Sequence, residues 1–483
     1  MSISALEPQA LWQHFAALNA VPRPSKKEAR VIAFMKAFGE GLGLETLVDK
    51  AGNVIIKKPA TAGMESRQTV ILQSHLDMVH QKNASTVFDF EQQGIEMFID
   101  ADWVKAKGTT LGADNGIGVA AIMAVLSSTT IAHPALEAFF TIDEETGMTG
   151  AKEMEAHLLS GTVLLNLDTE DDDELSVGCA GGIDTNTNYN YNEVAVNTAN
   201  PCFEISIKGL LGGHSGMDID KGRGNANKWM ARIIWELMQQ QQELHLHAFD
   251  GGSLRNAIPR EATAVLSCSD NQLFETRLKA IVADLKNEYH SVEPHFEISA
   301  TAIACPEKAM STSDLKKIIQ TLCSVHNGVF RMSPAIEGLV EASSSLARVI
   351  IKDGVFTTQS LQRSSVESTK REVSMALACA FENMGATVEQ SGDYPGWQPN
   401  MQSPILNTMT NLYRSLFHEE PKVKACHAGL ECGLLGEKLP GVDMISFGPN
   451  IRAAHSPDEK VQISSVLKFW QYFLASLQQI PNA

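Results

Sequence analysis

Apolar runs of strand length alternate with a helical pattern in the N-terminal third of the chain. The runs GNVIIKK, TVILQSH, LEAFFTID and TVLLNLD have the length of buried strands. The segment GVAAIMAVLSS, between the second and the third of these runs, is typical of a helix. Because such alternation is typical of a sheet layered with helices, the pattern predicts an α/β domain.

The composition changes near Gly181, where CAGGIDTNTNYNYNEVAVNTANP is rich in Gly, Asn and Thr and has little helical periodicity. We place a domain junction there. Beyond it, strand patterns such as CFEISIKGL and EATAVLSC mix with helical patterns such as NANKWMARIIWELMQQ and QLFETRLKAIVADLKNEY until about Glu389. The mixture predicts an α+β domain.

After YPGWQP, the chain returns to the helical pattern PILNTMTNLYRSLF, the short apolar run VDMISFG and the closing helical pattern SVLKFWQYFLASLQQI. Inserted domains are tolerated at exposed loops, so this last segment is expected to complete the first domain. The predicted organisation is one domain built from residues 1–184 and 394–483, with a second domain, residues 185–393, inserted into it.

The bulk composition narrows the classes of function. A chain of 483 residues exceeds the roughly 250–300 residues that one core serves, which also predicts two domains. The formal charge of −18, without a basic stripe, disfavours a nucleic-acid partner. No apolar stretch approaches the roughly 20 residues that span a bilayer, and the acidic start is not typical of a secretory signal. The 8 scattered cysteines favour reduced thiols in a cytoplasmic protein.

Residues with metal-binding chemistry follow the predicted strands. His75 and Asp77 come directly after TVILQS, and period-two alternation puts them on one side of an extended chain. The carboxylate can then orient the imidazole of a metal ligand. Asp114 lies in a Gly-rich turn that opens a helix, where backbone N–H groups stabilise a carboxylate. The alternatives are a surface His and Asp pair and a simple N-cap.

Two further strand ends carry carboxylates. Glu144 and Glu145 follow LEAFFTID, and their like charges repel unless a cation or a proton neutralises them. Asp168 ends TVLLNLD, and His455 follows the last apolar run; solvated acidic loops are the alternative. Five of these residues form an imidazole and carboxylate set suited to zinc, with manganese or cobalt as substitutes: His75, Asp114, Glu145, Asp168 and His455.

Eight motifs, in order and spacing, resemble those of the aminoacylhistidine dipeptidases, also called Xaa-His dipeptidases or peptidase D. They are SHLDMV, GTTLGADNGIG, TIDEETGMTGA, LNLDTED, GGHSG, LRNAIPREA, HAGLECG and HSPDE. The resemblance extends over essentially the whole chain, and a wider group of dizinc hydrolases contains carnosinase, tripeptidase T and aminoacylase. It implies a zinc-peptidase-type catalytic domain with a central mixed sheet and flanking helices, and an inserted α+β lid domain through which relatives often dimerise.

The resemblance also implies how the five ligands divide between two zinc ions. Asp114 would bridge the ions. His75 and Asp168 would complete one coordination sphere, and Glu145 and His455 would complete the other.

Further roles follow from the same resemblance. Glu144 would be the general base toward a water activated by the metal pair. Asp77 would support His75 from behind. A cis peptide bond is expected between Asp114 and Asn115.

Three residues, His214, Asn256 and Arg363, match family positions that contact the substrate, and Glu431 is a fourth candidate because its charge is opposite to that of a substrate ammonium. His214 would stabilise the tetrahedral oxyanion as a hydrogen-bond donor, with a surface histidine in a glycine turn as the alternative. Asn256 and Arg363 would hold the substrate backbone and its C-terminal carboxylate; for Arg363 the alternative is a surface salt bridge. Glu431 would receive the free substrate ammonium, unless it is a buried structural acid. The chain departs from the family pattern at His80, where many members have proline; we interpret this as a benign loop substitution, with an adventitious metal ligand close to His75 as the alternative.

The expected function is metal-dependent hydrolysis of unblocked dipeptides, Xaa-His dipeptides such as carnosine in particular, with two Zn²⁺ per subunit or Mn²⁺ or Co²⁺ in their place. Asp168 favours a peptidase, because deacylases of the group commonly have Glu there. Two alternatives stay open, namely deacylation of an N-acyl amino acid and a binding protein without catalysis. The expected partners are the dipeptide and a second copy of the chain, and neither nucleic acid nor a membrane is expected.

Overall fold

The computed structural model describes residues 2–240 and 243–483, which form two compact units. The first unit comprises Met1–Gly178, Pro399–Ala425 and Leu430–Ala483. The second comprises Cys179–Gln398 and the short segment Cys426–Gly429. Both ends of the chain therefore contribute to the first unit.

In chain order, the N-terminal part of the first unit contains α1 (Gln9–Asn19), α2 (Ala29–Gly41), β1 (Glu45–Val48), β2 (Val54–Lys58), β3 (Val70–His75), β4 (Met97–Asp100), β5 (Trp103–Ala106), α3 (Ala113–Ser127), β6 (Leu136–Thr141), α4 (Thr149–Glu153), β7 (Val163–Asn166) and β8 (Glu174–Cys179). Short 3-10 turns lie at Ile3–Ala5 and Ala156–Leu158.

The middle of the chain contains β9 (Gly181–Asn190), β10 (Glu193–Ala195), β11 (Cys202–Lys208), α5 (Ala226–Met238), β12 (Leu244–Gly251), β13 (Ala262–Cys268), α6 (Asn271–Tyr289), β14 (Glu297–Ala302), β15 (Lys308–Met310), α7 (Thr312–Ser324), β16 (Gly328–Met332), β17 (Val340–Lys352), β18 (Val355–Ser364), α8 (Glu367–Asn383) and β19 (Thr387–Tyr394).

The C-terminal part contains α9 (Pro404–Phe417), β20 (Lys422–Cys426), α10 (Glu431–Lys438), β21 (Asp443–Ser446), β22 (Ile451–Arg452), β23 (Lys460–Gln462) and α11 (Ile463–Gln479). Within the two described ranges, no helix combines the length and the apolar character needed to cross a membrane.

The first unit is built on a mixed sheet with the strand order β1-β2-β6-β3-β7-β21-β8-β20. Strand β3 pairs in parallel with β6 and β7, and β7 pairs in parallel with β21, whereas β2 pairs antiparallel with β1 and β6. Strands β3 and β6 are buried at every position, as parallel strands with both faces covered are. The predicted α/β class with a central mixed sheet is confirmed. A smaller sheet has the order β22-β23-β5-β4.

The second unit is built on an antiparallel sheet with the order β14-β11-β13-β12-β17-β18-β9-β19, to which β16 adds along β17. Helices α5, α6 and α7 bury their apolar faces in the core of this unit, which includes Trp229, Ile233, Phe274, Leu278 and Ile318. Helix α5 begins at the N-cap Asn225, whose side chain accepts hydrogen bonds from two backbone N–H groups of the first turn. Strands and helices mix here as the α+β pattern of the sequence predicts.

Candidate active site

Three parallel strands of the first unit end beside one another, and each is followed by predicted site residues. His75 is the last residue of β3, Glu144 and Glu145 lie in the turn after β6, and Asp168 follows β7. The register places His75 opposite Thr141 of β6. Because the carboxyl ends of parallel strands share one edge of a sheet, these segments converge there.

Asp114 lies at the centre of a cluster of imidazoles and carboxylates. Its Oδ1 is 3.2 Å from Nε2 of His75, and its Oδ2 is 3.2 Å from Nε2 of His455. Asp168 Oδ1 lies 3.5 Å from the same nitrogen of His75, and Glu145 Oε2 lies 3.0 Å from the same nitrogen of His455. The structure therefore brings all five predicted ligands together, in two groups that share Asp114.

The chemistry of this cluster fits a divalent metal. Ligands that lie about 2.0–2.2 Å from a tetrahedral zinc ion are separated from each other by about 3.3–3.6 Å. The imidazole and carboxylate atoms here are 3.0–3.5 Å apart. Oε1 of Glu145 is buried and has no hydrogen-bond partner among the described residues, which is the environment of an oxygen that a cation would satisfy.

The charge states of the cluster follow from these contacts. Hydrogen bonds from His455 to Asp114 and Glu145 raise the pKa of His455 to about 11. Burial raises the pKa of Asp168 to about 6. Although burial alone would raise the pKa of Asp114, the two imidazoles lower it far below its ordinary value. Asp114 is therefore an anionic acceptor at neutral pH.

Asp77 connects the first imidazole to the turn after β6. Its Oδ1 lies 3.4 Å from Nδ1 of His75. Its carboxylate also accepts hydrogen bonds from the backbone N–H groups of Glu144 at 3.0 Å and Glu145 at 3.3 Å, and from the hydroxyl of Ser25 at 2.7 Å. Although burial alone would raise the pKa of Asp77, these donors lower it below its ordinary value. The contact with the turn is one that the sequence analysis did not foresee.

Glu459 is a buried residue that the sequence analysis missed, although it belongs to the HSPDE motif. Its carboxylate accepts hydrogen bonds from four consecutive backbone N–H groups, residues 111–114, at 2.7–3.2 Å. These bonds fix the turn that opens α3 and carries Asp114. The peptide bond between Asp114 and Asn115 is cis, which confirms the expectation from the family resemblance.

Arg23 is a second buried residue that was missed, because only the fold brings it to the site. Its guanidinium donates to the backbone oxygens of Leu76 and Asp77 at 3.0 Å each, and to that of Gly112 at 2.6 Å. Gly112 has φ 69°, and a Cβ added there would lie 2.5 Å from Nη2 of Arg23. Only glycine is therefore compatible with both the turn and the close approach of the guanidinium.

Glu144 and Glu431 are further acids of this region. Burial raises the pKa of Glu144 well above its ordinary value, and the charges of Asp168 and Glu431 add to this effect. Glu431 begins α10, and its Oε2 accepts hydrogen bonds from Gln73 at 2.7 Å and Thr141 at 2.6 Å. Its Oε1 is buried without a hydrogen-bond partner among the described residues, and burial raises the pKa of this carboxyl to about 8.

In the second unit, His214 is held as a hydrogen-bond donor. The backbone N–H groups of Gly216 and Met217 donate to its Nδ1 at 3.2 and 3.0 Å, so the proton of the neutral ring lies on Nε2. Burial, and then the charge of Arg363, lower the pKa of His214 and keep the ring neutral at neutral pH.

Arg363 lies beside this histidine. Its Nη1 donates to the hydroxyl of Tyr394 at 2.9 Å, and its Nη2 is 3.5 Å from Nε2 of His214. The guanidinium is buried, and its Nε has no hydrogen-bond partner among the described residues. Two donors that face each other in this way suit an anion placed between them.

Asn256 and His80, the other two residues singled out from the sequence, are exposed. Asn256 is exposed, and its backbone oxygen accepts a hydrogen bond from the backbone N–H of Ser215 at 2.8 Å, which places it next to the His214 turn. His80 is exposed and packs edge-to-face against Phe90, with ring centroids 5.9 Å apart. This aromatic contact agrees with a loop substitution rather than with a metal ligand.

His427 completes the polar group of the second unit and was not foreseen. Its Nε2 lies 2.7 Å from the hydroxyl of Ser343. Burial, and then the charge of Arg363, lower the pKa of His427 to about 3. Its only sequence signal was its place at the start of the HAGLECG motif.

Comparisons with known proteins identify the family of the chain. Residues 71–479 match the model of Peptidase family M20/M25/M40. The chain is 40% identical over 481 residues, 99% of each chain, to the cytosol non-specific dipeptidase of Escherichia coli strain K12. The crystal structure of aminoacylhistidine dipeptidase from Vibrio alginolyticus matches with a TM-score of 0.94 and 42% identity, over 100% of this chain and 99% of that one.

A more distant match shows the fold alone. The aminopeptidase PepT from Bacillus cereus has a TM-score of 0.57 and 16% identity, over 98% of this chain and 99% of that one. The family model matches most of the chain, and the resemblance noted from the motifs is confirmed. The chain therefore belongs to Peptidase family M20/M25/M40, a family of metallopeptidases.

Proposed function

We propose that this protein hydrolyses unblocked dipeptides with two divalent metal ions held by five side chains: His75, Asp114, Glu145, Asp168 and His455. Family membership supports metal-dependent peptide hydrolysis. The observation that carries the two-metal proposal is the position of Asp114, each of whose oxygens faces a different imidazole at 3.2 Å. A carboxylate shared in this way suits a bridging ligand. We propose zinc, with manganese or cobalt as substitutes.

The division of labour between Glu144 and Glu145 follows from their contacts. A divalent ion bound here would polarise the peptide carbonyl and lower the pKa of a coordinated water. Glu145 contacts His455 and is assigned to the metal. Glu144, whose backbone is fixed by Asp77, would accept the proton of the attacking water and return it to the leaving amine. Burial raises its pKa, which suits a group that must hold a proton between the two steps.

The substrate contacts are proposed for side chains that are not assigned to the metal ions and that present donor or acceptor atoms. His214 presents Nε2–H, which we assign to the developing oxyanion. Arg363, a buried guanidinium without a carboxylate partner among the described contacts, is assigned to the C-terminal carboxylate, and Asn256 to the substrate backbone. Oε1 of Glu431, which has no hydrogen-bond partner among the described residues, is assigned to the substrate ammonium.

A panel of free and blocked substrates tests this assignment against a deacylase. The metal-loaded protein is assayed on alanyl-histidine, carnosine, alanyl-alanine, N-acetyl-alanyl-histidine and N-acetyl-histidine. Cleavage of the free dipeptides and not of the acetylated compounds is expected, because an acetyl group removes the ammonium that Glu431 would receive. Faster cleavage of N-acetyl-histidine would contradict the proposal. The ratio of alanyl-histidine to alanyl-alanine turnover measures the proposed preference for a C-terminal histidine.

We further propose a cytoplasmic location and a homodimer formed through the second unit. The location is supported by the name of the Escherichia coli relative and by the scattered cysteines of the sequence, which favour a reducing compartment. The dimer is supported by β14, an edge strand that is exposed along most of its length and so offers backbone groups for pairing. Light scattering after gel filtration is expected to give twice the mass of the chain, and the mass of a single chain would contradict the dimer.

A further inference from the structure

Two thiols and an imidazole meet in the second unit, outside the groups of residues described above. Cys202 is the first residue of β11, His247 lies on β12, and Cys305 lies between β14 and β15. Their ligand atoms all lie within 4.8 Å of one another. We propose that Cys202, His247 and Cys305 form a second metal site, selective for a thiophilic divalent cation such as zinc and independent of the peptidase centre.

The separation of the ligand atoms is close to that of a metal-bound set. A tetrahedral zinc ion, with zinc–sulfur bonds of about 2.3 Å and zinc–nitrogen bonds of about 2.0–2.1 Å, holds sulfur and nitrogen about 3.5 Å apart. Nε2 of His247 lies 4.0 Å from Sγ of Cys305. To close this difference, the side chain of Cys305, which is half-buried and outside the regular strands, would have to rotate.

The hydrogen bonds of His247 prepare it as a ligand. Its Nδ1 lies 2.7 Å from the backbone oxygen of Lys308, which only accepts, so Nδ1 carries the proton. Nε2 is then an acceptor: the hydroxyl of Ser267, 2.9 Å away, donates to it, and Sγ of Cys305 lies 4.0 Å from it. A cation bound to Nε2 would take the place of this hydrogen bond. Metal-ligating histidines commonly donate their other N–H to a backbone carbonyl in this way.

The backbone also directs His247 toward the thiols. The register of β12 against β13 shifts between Leu246 and Ala248, so His247 is the additional residue of a β-bulge. Bulges redirect a side chain that regular pairing would fix on one face of the sheet. Cys202 pairs with Ser267 on the neighbouring β13, which brings its thiol to the same place. Three separate segments therefore supply the ligands.

The composition of the site selects the metal. Two thiolates and one imidazole are the ligands that zinc prefers, and they disfavour magnesium and calcium, which take oxygen ligands. Three protein ligands leave the fourth tetrahedral position for water. Bound zinc would tie the start of β11 to the segment that follows β14.

A disulfide between Cys202 and Cys305 is the competing use of these residues. Both thiols are free in the structure. A disulfide would use the two sulfurs alone, whereas the ligand atom of His247 also lies within 4.8 Å of both of them. The observations therefore favour the metal site.

Cobalt(II) binding separates this site from the peptidase centre. Cobalt bound to thiolate has a sulfur-to-metal charge-transfer band in the near ultraviolet, and the peptidase ligands contain only nitrogen and oxygen. The reduced full-length protein, freed of bound metal and of the reductant, is titrated with cobalt. Wild type is expected to develop the band, Cys305→Ser to lose it, and Cys379→Ser, which removes an exposed cysteine of α8, to keep it. Added zinc is expected to abolish the band in wild type.

Several outcomes would overturn the proposal. They are the absence of the band in wild type, a band of equal strength in Cys305→Ser, and a band that excess zinc does not displace. The competing disulfide is tested by peptide mapping of protein that has been reduced and then left without reductant. If a Cys202–Cys305 disulfide forms under these conditions, the two cysteines are a redox pair and not metal ligands. Dipeptide turnover and the circular dichroism spectrum of Cys305→Ser are expected to equal those of wild type, which shows that the variant is folded.

Discussion

At the scale of single residues, the adjacent acids Glu144 and Glu145 have different surroundings. Oε2 of Glu145 contacts His455 at 3.0 Å, whereas the pKa of Glu144 responds chiefly to burial and then to His75, Asp168 and Glu431. Asp77 holds the backbone N–H groups of both. Glu145 therefore contacts a proposed metal ligand, whereas burial raises the pKa of Glu144.

Glu144→Gln is predicted to lower kcat by at least about 10²–10⁴-fold, because the amide cannot accept the proton of the attacking water. Metal content and folding are expected to remain near those of wild type, since Glu144 is not among the proposed ligands. The measurements are kcat on alanyl-histidine, metal content by mass spectrometry and circular dichroism. Turnover like that of wild type would show that the base has been misassigned.

Arg363→Met is predicted to raise KM for free dipeptides more than it lowers kcat, because the C-terminal carboxylate loses its cationic partner. It should also raise the pKa of His214, since the positive charge of Arg363 disfavours the charged imidazole. The pKa is measured by nuclear magnetic resonance titration of the His214 ring. Arg331→Met, which removes an exposed arginine of the same unit, is the control. An unchanged KM would show that Arg363 does not bind the substrate carboxylate and that its role is structural.

At the scale of elements, the turn before α3 depends on Glu459. This carboxylate accepts from the four backbone N–H groups of residues 111–114, which would otherwise lack partners at the start of the helix. An anion at a helix N-terminus is stabilised by the helix dipole as well. Glu459 is therefore a positioning residue for Asp114.

Glu459→Gln is predicted to weaken metal binding by about 10–100-fold, the usual effect of removing a group that orients a ligand. The amide nitrogen would face backbone donors, so the turn would lose part of its support. Competition with a chromophoric chelator measures the affinity. Asp458→Asn, which neutralises the exposed neighbour, is the matched control and should leave the affinity unchanged. If the two variants bind metal with equal affinity, Glu459 does not position Asp114 for metal binding.

Elements with a clear period could be predicted from the sequence, and short or polar ones could not. The pattern PILNTMTNLYRSLF coincides with α9, because its apolar positions recur on one helical face. The sheet formed by β22, β23, β5 and β4 was missed, since its strands have only two to four residues. Strand β17 was missed because it begins with VEASSS, whose serines are buried.

Residues of the site divide in the same way. His75, Glu145 and Asp168 lie at the ends of apolar runs, so their convergence could be expected from strand ends, whereas Asp114 was marked by the Gly-rich turn that opens a helix. Arg23 lies 53 residues before Leu76 in sequence and contacts it only in the fold, and no local pattern marks a buried cation of this kind. The orientation of His214 as a donor depends on two backbone N–H groups and equally could not be predicted.

At the scale of the whole molecule, the first unit is closed by the C-terminal segment, which supplies His455 and Glu459. The change of composition near Gly181 marks the junction between the units within a few residues. The assignment of Cys426–Gly429 to the second unit has no such signal, because four residues are too few to change local composition. Metal bound by ligands from both ends of the chain would also stabilise this closure, by about 2.7 kcal/mol at a metal concentration of 100 times Kd.

The most direct test of the central claim is hydrolysis of alanyl-histidine before and after removal of metal. The protein is stripped with a chelator, freed of it by gel filtration and assayed, then assayed again after addition of zinc, manganese or cobalt. Turnover is expected to be lost with the metal and to return when metal is restored, whereas the Glu144→Gln protein is expected to stay inactive in both states. Full turnover by stripped protein with no detectable metal would contradict the claim.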